Sequence, residues 1–400
     1  MGREGGGVPT AVIQLDIDRL SPDVVVDPRY SQAFVVMRRR GRPVAGFYVP
    51  VSAGRLEMQE GTRPLLNEIR KSRWQWAVDD YLGPDPAPPL PPATVAICTH
   101  ERPEDLSRAL KAVAALRPAP AEIIVVDNTP ATARTRDVVD QFPGVRYLRE
   151  DRPGLDAARN RALADATTRF VAFTDDDAAP EPEWLGQLLQ PFEDPRVLCS
   201  TGLTLPLELE TAAQEWFERF TPFGRGFERK VFDGTRHDPM DISRCGAGVN
   251  MALRREVLER VGAFDEALDA GTATRSGGDH EMFGRILASG YRLVYQPGAV
   301  SWHRHRRSWE DLRRTLGGYG AGVYAMWTRR LLLEHELGTL RYAFRWFRLA
   351  QMPHLWRTLT GRSGSVPSDL LFAELRGCLS GPLAYFTARV RLSLRGKGRV

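Results

Sequence analysis

The spacing of apolar positions changes character three times along the chain. AVIQLDIDRL (11–20) and QAFVVMRRRGRPVAGFYVPV (32–51) place apolar runs around a polar Arg40-Gly41-Arg42-Pro43 turn, and a helical pattern follows over Pro64–Leu82. This predicts a small β-rich unit closed by a helix, residues 1–82. Six prolines between Pro84 and Pro92 then impose a stiff, extended spacer, residues 83–93. Beyond it, short apolar runs alternate with helical spacing. ATVAICT (93–99), AEIIVVDN (121–128), VRYLRE (145–150) and RFVAFT (169–174) read as strands. Glu104–Leu116, with Leu106, Leu110, Val113 and Leu116 on one face, and Asp156–Ala166 read as helices. Strand–helix alternation of this kind predicts an α/β, mostly parallel sheet covered on both faces, with ligands at the carboxyl ends of its strands. Attention therefore falls on Thr99–Arg102, on Asp127-Asn128 and on Asp175-Asp176-Asp177. From about Met326 onward the pattern is helical, with Arg interleaved among Leu, Trp and Phe, as a basic extension over 326–400.

Composition narrows the class. At 400 residues, 42% hydrophobic and 26% charged, most of the chain is expected to fold into two or three domains. Four cysteines, never in a C-x-x-C pair, argue against a zinc ribbon or a disulfide framework and fit a cytoplasmic setting. The N-terminal stretch lacks the basic start and apolar run of an export signal, so none is expected. Uncharged stretches such as Thr315–Thr328 are too short to span a bilayer. Residues 321–400 carry a net charge of +9, so the first 320 carry −4. Acidic partners are thus expected at the C-terminal end, and nucleic acid is disfavoured as a partner of the rest.

The chemistry concentrates in three places. Asp175, Asp176 and Asp177 end an apolar strand, where like charges repel unless a cation compensates them. Such carboxylates offer hard oxygen ligands to Mg2+ or Mn2+. A second acidic group, Asp279-His280-Glu281 after Gly277-Gly278, opens a helix over MFGRILASG, where the helix dipole favours carboxylates. His303 and His305, in SWHRHRRSW, follow a strand over Tyr291–Gln296 and a short apolar turn, and their i, i+2 spacing on an extended chain turns both to one side.

Taken together, VAICTHERPEDLSRAL, IIVVDN, PGLDAARNRAL, FTDDDAAPEPEWL, GAGVNMALRREVLERVGAFDE, GTATRSGGDHEMFGRIL and WHRHRR resemble, in order over about 93–325, the family 2 glycosyltransferases. The resemblance implies a GT-A type fold: a mostly parallel nucleotide-sugar-binding sheet flanked by helices, here spanning 94–325, with the β-rich N-terminal domain and the helical C-terminal extension added. It implies that Thr99 and Arg102 receive the nucleotide base, that Asp127 contacts base or ribose, and that Arg159 and Asn160 lie near the nucleotide pocket. Asp175 and Asp177 match the D-x-D pair, with Asp177 the direct metal ligand and Asp175 or Asp176 near the ribose. His303 matches the histidine that completes the metal site, with His305 as runner-up. Asp279 matches the catalytic aspartate. Where the family has Glu-Asp, this chain has Gly278-Asp279, which leaves His280 or Glu281 free to share the base role. Gly246–Asn250 matches a flexible wall of the acceptor pocket.

The expected activity is therefore inverting, metal-dependent transfer of a sugar from a nucleotide-diphosphate sugar, UDP or dTDP favoured, to an acceptor hydroxyl. Tyr342–Trp346 lacks the Gln of the Q-x-x-R-W element of processive synthases, which favours single transfers. The rivals are a nucleotidyltransferase acting on a sugar phosphate, for which CTHERPEDL lacks the glycine- and lysine-rich phosphate loop, and a degenerate sugar-nucleotide-binding scaffold. The expected setting is cytoplasmic, with peripheral contact on the inner membrane face through the basic C-terminus as the added reading.

Overall fold

The structure is a computed structural model, and it describes residues 9–19, 24–57, 74, 76–78, 80–81, 83, 90–361 and 366–397, the last three for their backbone only. Of the helix expected over 64–82, Trp74, Trp76–Val78, Asp80 and Tyr81 are described and helical; the rest, and residues 84–89 of the proline spacer, lie outside the described residues.

The N-terminal unit is a four-stranded sheet of β1 (Thr10–Asp16), β2 (Gln32–Arg39), β3 (Arg42–Ser52) and β4 (Arg55–Leu56) in that order. β1 and β2 run parallel, and the other pairs antiparallel. The β2–β3 turn sits on Arg40 and Gly41 at φ 48° and 77°, the double left-handed geometry whose twist matches a two-residue hairpin. Strand alternation then separates two faces. Ala33, Val35, Met37, Phe47 and Val49 close a core of their own, whereas Phe34 and Val36 join Leu203, Leu205 and Leu209 in the main core. Thr10 N donates to Leu209 O at 2.8 Å, Tyr30 Oη to Glu210 Oε1 at 2.6 Å, and Arg38 pairs with Glu181. The small sheet is thus seated on the larger unit.

The larger unit alternates β5 (Ala93–Thr99), α1 (Pro103–Ala114), β6 (Glu122–Asn128), α2 (Arg134–Val139), β7 (Val145–Glu150), α3 (Leu155–Asp165) and β8 (Phe170–Asp175). Then come β9 (Ala178–Pro180), α4 (Trp184–Leu189), β10 (Val197–Pro206), α5 (Ala212–Phe220), β11 (Lys230–Asp233), β12 (Asn250–Arg254), α6 (Val257–Arg260), α7 (Gly278–Ala288) and β13 (Arg292–His303). They form one sheet in the order β11-β13-β10-β12-β8-β5-β6-β7, with β9 on β13. The half from β8 to β7 is parallel, as the alternation predicts. The other half is mixed: β12, reached through a long loop rather than a crossover helix, runs antiparallel to both β8 and β10, while β13 is parallel to β10. Val95, Ile97, Val125 and Ala172 pack one face with Leu106 and Leu110 of α1, and the other face packs Ala96, Ile124 and Val126 against Ala158 and Ala162 of α3.

Two expectations are corrected here. The apolar turn expected after Gln296 is a bulge inside β13, which jumps from Gly202↔Gln296 to Leu203↔Val300 and runs on to His303. The C-terminal helical part begins earlier than Met326, at α8 (Trp309–Arg329), followed by α9 (Gly338–Trp346), α10 (Met352–Leu359) and α11 (Ser368–Lys397). The four cysteines are buried and unbridged.

Candidate active site

Register assembles the site. Thr99 pairs with Asp127, and Cys98 with Asp175, so the carboxyl ends of β5, β6 and β8 lie side by side. The Asp177 carbonyl accepts from Arg304 N at 2.9 Å, which ties the acidic loop to the chain just past β13. Asp175, Asp177 and His303 each bring one potential ligand atom within 4.8 Å of the others, and His303 Nε2 stands 3.1 Å from Asp177 Oδ1. Two carboxylates and an imidazole are a donor set suited to a hard divalent cation such as Mn2+ or Mg2+. Asp176 turns the other way, where it accepts from Thr99 Oγ1 at 2.8 Å and from Arg102 Nη1 at 3.1 Å.

The electrostatics reflect this crowding. Burial, and then the Asp177 charge, push the Asp175 and Asp176 carboxyls up to about 6. Burial also opposes charge on Asp177, but His303 first, then Arg306 and Arg102, outweigh it and hold that carboxyl below the usual range. His305 does not join the ligand set. Its Nδ1 lies 3.3 Å from His303 Nδ1, and its Nε2 2.9 Å from Oε2 of Glu218. Burial lifts Glu218 to about 8 and drives His305 well below its ordinary value, so both tend to be neutral. A hydrogen-bonded row of this type orients a ligand imidazole from behind.

A second acidic cluster lies beside the first. Arg159 on α3, 3% exposed, donates to Asp156 Oδ1 at 3.0 Å and to Asp269 Oδ2 at 2.8 Å. Despite its burial, Asp269, Asp156, Asp279 and Asp175 favour its charge. Asp279, half-buried in the first turn of α7, accepts from Gly248 N at 2.7 Å and from His280 N at 2.8 Å. Burial works against the Asp279 charge, but His280, Arg159 and those two N–H groups leave its carboxyl lowered. A Cβ on Gly248 would stand 2.6 Å from Arg159 Nη2, so a side chain there would have to displace the buried guanidinium. A Cβ on Gly278 would overlap Asp156 Oδ2. Asp156 therefore occupies the volume that a side chain at 278 needs, which accounts physically for glycine at this position.

The remaining candidates separate. Asp127 is buried at the end of β6, accepts from Tyr147 Oη at 2.8 Å, and is raised by burial. Asn160 is not brought to either cluster: its amide donates to Phe264 O at 3.0 Å and accepts from Phe264 N at 2.8 Å. Glu281 is 2% exposed, with Oε2 held by Arg285 at 2.7 Å and Oε1 by Arg329 at 2.8 Å. Its carboxylate is spent on ion pairs. His280 lines a small cavity with Met240, Met326 and Arg330. The 246–250 segment is packed rather than loose, with Ala247 and Val249 buried and Gly246 against Thr201. Asp156, Asp269, Glu218 and Arg306 escaped the sequence reading. Arg306, 3.5 Å from Asp177 Oδ2, lies in the quoted WHRHRR run and Asp156 in PGLDAARNRAL, but neither Glu218 nor Asp269 stands in a recognisable pattern.

Residues 94–262 match the family model "Glycosyl transferase family 2". A pre-mycofactocin glycosyltransferase of Mycobacterium tuberculosis is 29% identical over 245 residues, 59% of this chain and 49% of that one, so the chain spans about half the length of this relative. Glycosyltransferase AglE of Haloferax volcanii is 24% identical over 295 residues, 72% of this chain and 90% of its own. Among solved structures, a mannosyltransferase from Pyrobaculum calidifontis in complex with GDP-Man and Mn2+ aligns over 86% of this chain and 85% of its own at 19% identity and a TM-score of 0.45. The resemblance carried by the motifs and the match over 94–262 agree: this segment, built on a mixed α/β sheet, is similar to glycosyl transferase family 2.

Proposed function

We propose that the protein is an inverting, metal-dependent glycosyltransferase that moves a sugar from a nucleotide-diphosphate sugar, UDP or dTDP favoured, to an acceptor hydroxyl. The observation that carries this reading is the pair of adjacent acidic clusters with different surroundings, one fitted to a cation and one to an ionised base. Asp175, Asp177 and His303 would hold Mn2+ or Mg2+. Such a cation, when bound, offsets the negative charge that develops on a departing diphosphate.

The chain's own groups do the rest. Arg102 and Arg306, each partly exposed, present positive charge beside Asp177. Thr99 and Asp127, on adjacent strand ends, would receive the base and ribose. Asp279, ionised and half-exposed, would take the proton from the attacking hydroxyl. Arg159, after His280, favours the ionised form of Asp279 and so acts as a positioning residue. Glu281 fits a base role poorly because both its oxygens are paired. In this reading 94–325 is the catalytic unit, 1–82 an accessory joined by the 83–93 spacer, and 326–400 a basic extension that starts within α8. The setting is cytoplasmic, peripheral to the inner membrane face.

The test is calorimetric titration with UDP, dTDP and GDP, each with Mn2+ and with EDTA, followed by product analysis. Metal-dependent binding of one diphosphate, its release on turnover, and an inverted anomeric centre by NMR are expected. Release of pyrophosphate would mean nucleotidyl transfer instead, and a folded protein that binds no diphosphate would be a degenerate scaffold.

A further inference from the structure

The C-terminal helices leave an apolar face uncovered. One side of α11 is pressed onto α8 through small residues: a Cβ on Gly381 would stand 2.6 Å from Ala321 O, and one on Gly320 3.0 Å from Cys378 N. The opposite side carries Phe372, Leu379, Leu383, Phe386, Val390 and Leu394, spaced by three, four or seven residues and all exposed, Leu379 at 85% and Leu383 at 71%. α9 and α10 repeat the arrangement with exposed Leu340, Phe344, Trp356 and Leu359. Single exposed leucines need no explanation, but two continuous stripes do.

The charges between them are nearly all of one sign, with Asp369, bonded to Trp309, and Glu374 the acidic residues of 337–400. There is no Asp or Glu in residues 337–367 or in 375–400, while Arg341, Arg345, Arg348 and Arg357 flank the first stripe and Arg376, Arg389 and Arg391 the second. Pairing these faces with a second copy would oppose arginine to arginine. An anionic lipid surface complements both features, apolar side chains entering the acyl boundary and arginines meeting headgroup phosphates. No described helix is long and apolar enough to cross a membrane, so the contact lies in the interface plane.

We infer that α9, α10 and α11 dock the protein on an anionic bilayer surface. The docking rests on this surface alone. Its consequence for the acceptor rests on the glycosyl-transfer reading: Gly322 of α8 abuts Gly277, two residues before Asp279, so a single helix layer separates α11 from the start of α7, which carries the candidate base. An acceptor hydroxyl carried on a membrane-anchored amphiphile then lies within reach.

The experiment is co-sedimentation of the full chain with phosphatidylcholine vesicles, with and without phosphatidylglycerol. Binding to the anionic vesicles, weakened by salt, is expected. Leu379→Asp/Leu383→Asp should lower the partition coefficient about tenfold or more, and Arg376→Glu/Arg391→Glu about tenfold or more. Both pairs are exposed, so melting temperature and metal-dependent diphosphate binding should stay as in the parent. If the leucine variant melts early, the arginine variant decides. Absence of vesicle binding, or equal binding to neutral and anionic vesicles, overturns the inference. So does a dimer in light scattering that the leucine variant splits while vesicles bind neither protein. Loss of diphosphate binding by the parent chain would sink the catalytic reading and leave the docking standing.

Discussion

The two acidic clusters at the end of the sheet use the same residue type to opposite ends. Around Arg159, three aspartates share a guanidinium supplied by the chain, buried and already paired with Asp156 and Asp269. Around Asp177, the arginines stand at the rim, with the side chains of Arg102 and Arg306 40% and 44% exposed, and the inner faces of Asp175, Asp177 and His303 turn toward one another. In the first cluster burial raises the Asp156 and Asp269 carboxyls, while His280, Arg159 and two backbone N–H groups keep Asp279 ionised. The second keeps a ligand set. The role of a carboxylate here follows from where its counter-charge comes from.

That contrast can be broken from either side. The largest effect is expected for Asp177→Ala, which removes a direct ligand: metal-dependent diphosphate binding in calorimetry should vanish, a loss beyond the roughly 10–100-fold typical of supporting residues. Asp279→Asn should leave diphosphate affinity unchanged and slow transfer by roughly 10²–10⁴-fold; full turnover by this variant would remove Asp279 from the base role. Gly278→Ala should cost about 1–3 kcal/mol of stability by overpacking against Asp156. Combining it with Asp156→Ala should return part of that loss in thermal melts, because the two groups compete for one volume. The smallest effect is expected for Glu218→Gln, whose amide can still bond His305 but, unlike the carboxyl, cannot take up or release a proton as a cation binds. Mn2+ affinity should fall about tenfold with the fold intact, and an unchanged affinity would mean that the His303–His305–Glu218 row does not tune the ligand.

Much of this was legible in residue order. The runs at 93–99 and 121–128, with Leu106, Leu110 and Val113 between them, specify strand, helix, strand because period-two and period-3.6 burial cannot be exchanged. The acidic triplet was readable for the same reason, since charges at the end of a buried run need a partner. The antiparallel β12 was not readable, because NMALR is equally apolar in either direction. Glu281 looked available beside Asp279, yet Arg285 one turn on and Arg329 on α8 take both its oxygens. His305 stood as runner-up to His303, but Glu218 on α5 holds it away from the ligand set.

By itself the sequence determined the element types of the parallel half, the acids at its strand ends and the sign of charge along the C-terminal helices, because each depends on near neighbours along the chain. Tertiary structure alone decided which acids became ligands, which became ion pairs, and why position 278 is glycine. Those outcomes depend on groups such as Asp156, Glu218, Asp269 and Arg329 arriving from distant segments, and no local spacing encodes such a meeting.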